Sequence, residues 1–233
     1  MKTDSTKNRT RALTLVEALI VIAVLLVLAA IILPQFGRPR MQRARASRIS
    51  CVNALKQLGL AFRIWQGDNN DKFPMSVSVT NGGTMELIGS GTVWRHFQVM
   101  SNELNTPKIL FCPADTDSRR RLATVWGGAL NESSGQIPFA GDTNTSYFIG
   151  VDADYTNPNM FLAGDRNLTV KNVALKPGLH SLATNEVVGW TAELHVNQGN
   201  VLMADASVQQ FTSASLPEAL IKTGVATNRL SLP

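Results

Sequence analysis

Hydrophobic and polar positions change rhythm twice along this chain. From Ala18 to Leu33 sixteen consecutive residues are apolar, a run that leaves a helix no polar face to turn toward water. Then Met41, Ala44, Ile49, Val52, Leu55, Leu58, Phe62 and Trp65 recur at three-to-four-residue spacing, with arginines and Lys56 on the other faces. That spacing predicts an amphipathic helix over 38–67. The strong turn formers Gly67-Asp68-Asn69-Asn70-Asp71 end it. Between the two regimes Pro34, Gly37 and Pro39 crowd together; an interior proline costs a helix roughly 3 kcal/mol, so a kink or break is expected there. After residue 68 the rhythm shortens to strands at 92–99, 108–112, 146–151, 160–164 and 200–211, separated by Gly-, Asn-, Asp- and Ser-rich segments. Phe161-Leu162-Ala163-Gly164-Asp165 and Val201-Leu202-Met203-Ala204-Asp205 look alike, each an apolar strand ending at an acidic turn. The predicted class is α+β, a long N-terminal helix packed on a small antiparallel sheet.

Leu13 to Leu33 is 21 residues, about 30 Å of helix and enough to cross a hydrocarbon core. The leader before it carries Lys2, Lys7, Arg9 and Arg11 against Asp4. It resembles a secretory n-region, but the apolar run exceeds an h-region of about 7–15 residues and no small-x-small site follows it. The segment therefore reads as a retained transmembrane helix. Glu17 is the odd residue. A carboxylate well inside a bilayer costs roughly 2.5–3.5 kcal/mol, so it either snorkels to the headgroups or has a partner.

Ala12-Leu13-Thr14-Leu15-Val16-Glu17, the basic leader, the helix length and Pro34 together resemble the N-terminal signal of type IV pilins and type II secretion pseudopilins. The family prefers Gly at the position of Ala12 and Phe or Met at that of Leu13. The resemblance implies a prepilin peptidase cutting between Ala12 and Leu13 on the cytoplasmic side and methylation of the Leu13 amine. It implies a filament in which Glu17 neutralises the N-terminal amine of an adjacent subunit. It also implies Pro34 as the family's helix-perturbing proline and a pilin-like fold. Its organisation would be a cleaved leader at 1–12, an assembly helix at 13–37, an amphipathic helix at 38–67 and a head at 68–233.

Charge sharpens this picture. Of 22 basic and 17 acidic residues, 1–67 hold 11 and 2, giving +9, and 68–233 hold 11 and 15, giving −4. A basic stem with a mildly acidic head argues against a nucleic-acid-binding domain. Arg38, Arg40, Arg43, Arg45 and Arg48 follow the span and four basic residues precede it, so charge bias alone leaves the orientation open. The resemblance places the leader in the bacterial cytoplasm, the helix in the inner membrane and the head in the periplasm or on a surface filament.

A second resemblance covers the head. Cys51-Val52-Asn53-Ala54-Leu55-Lys56-Gln57-Leu58-Gly59-Leu60-Ala61, then Phe111-Cys112-Pro113, then His195 followed after nine residues by Asp205, are similar to a pseudopilin-like group with a C-terminal H-x9-D-G signature. Ala206 replaces the final glycine, which speaks against a left-handed turn residue there. A hydrogen bond between His195 and Asp205 within a hairpin is expected. Cys51 and Cys112 either bridge, as an oxidising compartment allows, or sit as buried thiols.

Candidate chemistry is sparse. There is no CxxC, HExxH, P-loop or GxSxG pattern, and a Cys112–His195–Asp205 triad is outweighed by a structural role for those residues. Zinc lacks a ligand set in the sequence. Calcium is the better ion, with oxygen ligands available at Asp68, Asn70 and Asp71 or at Asp152 and Asp154, although neither cluster forms a defined loop and no cofactor is expected. The resulting expectation is a non-enzymatic subunit of a type II secretion or type IV pilus-like filament, whose partners are prepilin peptidase, other subunits and membrane lipid. The alternative is a monomeric membrane-anchored binding module.

Overall fold

The computed structural model describes residues 15–32, 39–129 and 134–233, without the side chains of 31–32 and 39–44. The chain divides into two compact units after Arg43. In the first, helix α1 runs Leu15–Ile32, with Glu17 in its first turn, where the amide dipoles favour a negative charge. Between Leu15 and Leu28 its large apolar side chains are 47 to 80 % exposed. Among the described residues no helix is long and apolar enough to cross a membrane. The expected span of 13–33 extends past the described residues at both ends, and the proline-rich stretch at 34–37 lies outside them.

Helix α2 runs Pro39–Asp68; a proline at the first helical position sacrifices no internal hydrogen bond. Its buried face in the second unit is Cys51, Leu55, Leu58, Phe62 and Trp65, spaced by alternating fours and threes. Ile49, expected in this stripe, is 62 % exposed, because a strict four-three alternation from Cys51 leaves position 49 on the opposite face. Met41 and Ala44 lie among the undescribed side chains. The helix ends as the turn formers require: Asn69 Nδ2 donates to the Trp65 carbonyl, and Asn70 and Asp71 adopt left-handed backbones that let the Asp71 amide reach the Gln66 carbonyl.

Short helices α3, Trp94–Gln98, and α4, Ser101–Leu104, follow. The strands are β1 Val125–Trp126, β2 Pro138–Phe139, β3 Tyr147–Gly150, β4 Phe161–Asp165, β5 Leu168–Val170, β6 Val173–Ala174, β7 Gly178–Ala183, β8 Val188–Trp190, β9 Gln198–Met203, β10 Val208–Thr212 and β11 Thr227–Leu232, with α5, Leu216–Lys222, before the last. Six strands form one antiparallel sheet in the order β10-β9-β4-β3-β11-β7. A three-stranded sheet β6-β5-β8 and a parallel pair β1-β2 complete the described strands.

The inner strands β3, β4 and β9 of the large sheet are buried on both faces. Tyr147, Ile149, Leu162 and Leu202 share a core with the α2 stripe. Their strand neighbours Phe148, Phe161, Val201 and Met203 share another with Trp190 and α5. Alternate residues thus serve opposite cores, which is why β3 and β4 read as unbroken apolar runs. Gly164 is required by close approach, since a Cβ there would lie 2.7 Å from the Phe148 ring and 2.8 Å from the Asn200 carbonyl oxygen.

Three expected strands change form. Residues 92–99 contain α3 because the Asp142 carboxylate, far along the chain, accepts hydrogen bonds from the Val93 and Trp94 amides at 2.8 Å each and caps a helix there. Residues 108–112 belong largely to a 3-10 turn over Pro107–Leu110, started by the proline and capped by Thr106. The segment 200–211 is a hairpin, β9 and β10 joined through 204–207. The two look-alike segments are antiparallel neighbours, with Phe161 opposite Met203 and Gly164 opposite Val201.

Candidate functional site

Of the N-terminal residues singled out above, Ala12, Leu13 and Pro34 lie outside the described residues. Glu17 is described, exposed and one turn into α1. It is the only charged residue of that helix.

In the second unit the conspicuous chemistry lies beneath α2. A disulfide joins Cys51, on the buried face of the helix, to Cys112, just after the 3-10 turn. It closes a separation of 61 residues, which the chain-entropy view converts to about 4 kcal/mol of stabilisation. His195 Nε2 lies 3.6 Å from Cys112 Sγ and 3.5 Å from Asp165 Oδ2. Asp165 closes β4 and is fully buried. Its Oδ2 accepts hydrogen bonds from the Asn200 amide at 2.7 Å and from Asn200 Nδ2 at 2.9 Å, while among the described residues Oδ1 has no hydrogen-bond partner.

One turn before Cys51, Arg48 clamps the loop that carries His195. It donates to the His195 carbonyl at 2.8 Å and to Gln198 Oε1 at 2.6 Å. That loop bends sharply: Val196 and Asn197 are both left-handed, with φ of 55° and 57°. For a β-branched valine this is a costly backbone, held by its surroundings.

Burial governs the titration of the pair. It pushes the Asp165 carboxyl up to about 7, against the two Asn200 hydrogen bonds. It holds the His195 imidazole down at about 4, with the Arg48 charge acting in the same direction. The favoured arrangement is thus a neutral imidazole beside a carboxyl that readily keeps its proton, rather than an ion pair.

The expected partner of His195 is corrected by this geometry. Asp205 lies in the exposed β9–β10 turn, where its Oδ1 accepts the Ser207 amide at 2.8 Å; Asp165 takes the place beside the imidazole. Sequence spacing favours Asp205, but the strand pairing of β4 with β9 decides the matter. Ala206, expected not to be left-handed, has a φ of 67°. The tight turn imposes that backbone with or without a glycine. The Cys112–His195–Asp205 triad lacks a nucleophile, because the sulfur is bonded to Cys51.

A second polar cluster borders a cavity of about 430 Å³ lined by Arg119, Arg120, Arg166, Lys176, Leu168 and Leu232. Arg166 grips the buried Asp115 with both arms of its guanidinium, at 2.8 and 2.9 Å. Arg120 donates to the carbonyls of Asp142, Thr145 and Pro233. Burial and the neighbouring Arg166 bring its guanidinium down to about 10. The cluster ties the 115–121 loop to the end of the last strand.

Of the acids weighed for calcium, Asp152 pairs with Arg229, Asp154 accepts the Thr156 amide and hydroxyl, and Asp71 accepts Gln66 Nε2. Among the described residues the one group of three metal-ligating side chains is Cys51, Cys112 and His195. Zinc-type ligands that the sequence scatters are therefore gathered by the fold.

Comparison with known proteins adds the N-terminal half of the picture. Residues 7–33 match the family model described as the prokaryotic N-terminal methylation motif. No curated protein and no solved structure matches the chain significantly.

Proposed function

We propose that the chain is a pilin-like structural subunit, not an enzyme, made with a basic leader and stored in the bacterial inner membrane. A prepilin peptidase removes residues 1–12 between Ala12 and Leu13 and methylates the new amine. The helix at 13–37 then carries the subunit from lipid into a filament of the type II secretion or type IV pilus kind, with the head in the periplasm or at the surface. The observation that supports this most is the methylation motif over 7–33, joined to a helix whose apolar side chains stay exposed and whose one charge is Glu17.

The physics of Glu17 follows from that setting. A carboxylate and an ammonium attract strongly in a low-dielectric bundle, whereas either one alone is costly to bury. Methylation keeps the amine charged. Glu17 then sets register: a subunit entering at the wrong height leaves a neighbour's Leu13 amine without a counter-charge.

Glu17→Ala tests this reading. Insertion and cleavage should persist, because the variant removes a charge from the membrane and leaves the cut site intact. Recovery of the subunit in the sheared filament fraction should collapse, and Glu17→Asp should be partly defective because its arm is shorter. Wild-type filament yield from Glu17→Ala would return Glu17 to a residue that merely snorkels at the membrane edge.

A further inference from the structure

The cluster beneath α2 contains more ligand chemistry than a disulfide uses. Cys51 Sγ, Cys112 Sγ and His195 Nε2 all lie within 4.8 Å of one another. The imidazole offers its nitrogen to the sulfurs rather than its ring edge, at 3.6 Å from Cys112. Ligands of one tetrahedral zinc ion stand about 3.3–3.8 Å apart, as metal–ligand bonds of about 2.0–2.3 Å require. Asp165 Oδ2 lies 3.5 Å from the same nitrogen, and Oδ1 of this fully buried group has no hydrogen-bond partner among the described residues.

We propose that the dithiol form of this chain is a zinc-class metal site, with Cys51, Cys112 and His195 as ligands and Asp165 a buried carboxyl in contact with the His195 ring. Charge fits the burial. Two thiolates neutralise a divalent ion, so the core receives a neutral unit instead of the bare charge it would reject. The ligand types are those that soft and borderline ions prefer, which favours zinc over calcium or magnesium. The His195 loop is already fixed by Arg48, so the imidazole needs no large search to reach an ion held by the sulfurs.

Disulfide and metal exclude each other at this site, since each requires both sulfurs. A chain whose thiols have not yet been oxidised would therefore have its α2–loop junction held by an ion. The same junction is covalent once the bridge forms. This inference is independent of filament assembly and stands or falls on the second unit's own chemistry.

The test uses the full-length chain extracted in detergent, reduced with a phosphine that is then removed under nitrogen, and titrates it with Co²⁺. One Co²⁺ per chain should bind, giving a sulfur-to-cobalt charge-transfer band and the intense visible bands of tetrahedral cobalt, and Zn²⁺ should displace it. The same chain with its disulfide formed should show neither band. His195→Gln should weaken binding by about 100-fold, at the upper end of what loss of supporting groups alone costs. His180→Gln, outside the cluster, should bind as the parent does and serves as a control on handling. A reduced chain with no cobalt–thiolate band would overturn the proposal, and so would a band of undiminished affinity in His195→Gln. Because oxidised and reduced parent chains are compared directly, the test does not depend on a cysteine variant folding.

Discussion

Helix α1 and the part of α2 beyond residue 44 both carry apolar side chains in quantity, yet they place them in opposite surroundings. Along α1 the large apolar residues from Leu15 to Leu28 are about half exposed or more, and they cover every face. Along α2 the stripe of Cys51, Leu55, Leu58 and Phe62 is fully buried against the sheet, while Arg45, Lys56 and Arg63 face outward. A helix with one apolar stripe finds its partner within its own chain. One that is apolar all round must find it elsewhere, in lipid or in other helices. The division of labour between stem and head is written in that contrast.

The contrast is open to direct attack by paired truncations of side chains. Phe62→Ala should lower the unfolding free energy of the head by about 3–5 kcal/mol, the cost of a large buried cavity. Leu25→Ala, on α1, should leave it within about 0.5 kcal/mol. Denaturant unfolding followed through tryptophan fluorescence measures both. A comparable loss from Leu25→Ala would mean that α1 contributes to the folded head.

A smaller effect separates the buried polar groups of the head from its apolar stripe. Burial holds His195 and His96 down at about 4 and raises Asp165 to about 7. Between about pH 4 and 6.5 the unfolded chain protonates both histidines while the folded chain does not, so stability rises with pH. Over the same range folded Asp165 keeps a proton that the unfolded chain has lost, which opposes the rise. One net proton remains, or roughly 1.4 kcal/mol per pH unit. Asp165→Asn removes the opposing group, so the slope should about double. An unchanged slope would show that Asp165 carries no proton in the folded chain over this range.

The smallest predicted effect concerns the β9–β10 turn. Alanine at a φ of 67° is strained, so Ala206→Gly should raise stability by about 0.5–1 kcal/mol. A loss instead would mean that the methyl group's packing beside Gly59 outweighs its backbone cost.

How far the sequence foretold these features depended on the range of the interactions. The α2 helix, its terminating turn and the strands near 147–150 and 161–165 were legible, because local periodicity and turn formers determine them. Helix α3 was not, since Asp142 caps it from 48 or 49 residues away. Strands β7, β8 and β11 went unseen because only pairing within the sheets makes strands of such mixed segments as Gly178–Ala183. His195 stood out, but its partner did not. Spacing pointed to Asp205, whereas the sheet register brings Asp165 in. The available clue was the likeness of 161–165 to 201–205, two apolar runs ending in Asp that turn out to be neighbours.

The most direct measurement is the mass of the mature N-terminus in membrane-extracted protein from cells with an active prepilin peptidase. A chain beginning at Leu13 with one added methyl group is the predicted result. A chain still beginning at Met1 would contradict the pilin-like reading and leave the apolar helix as a plain anchor.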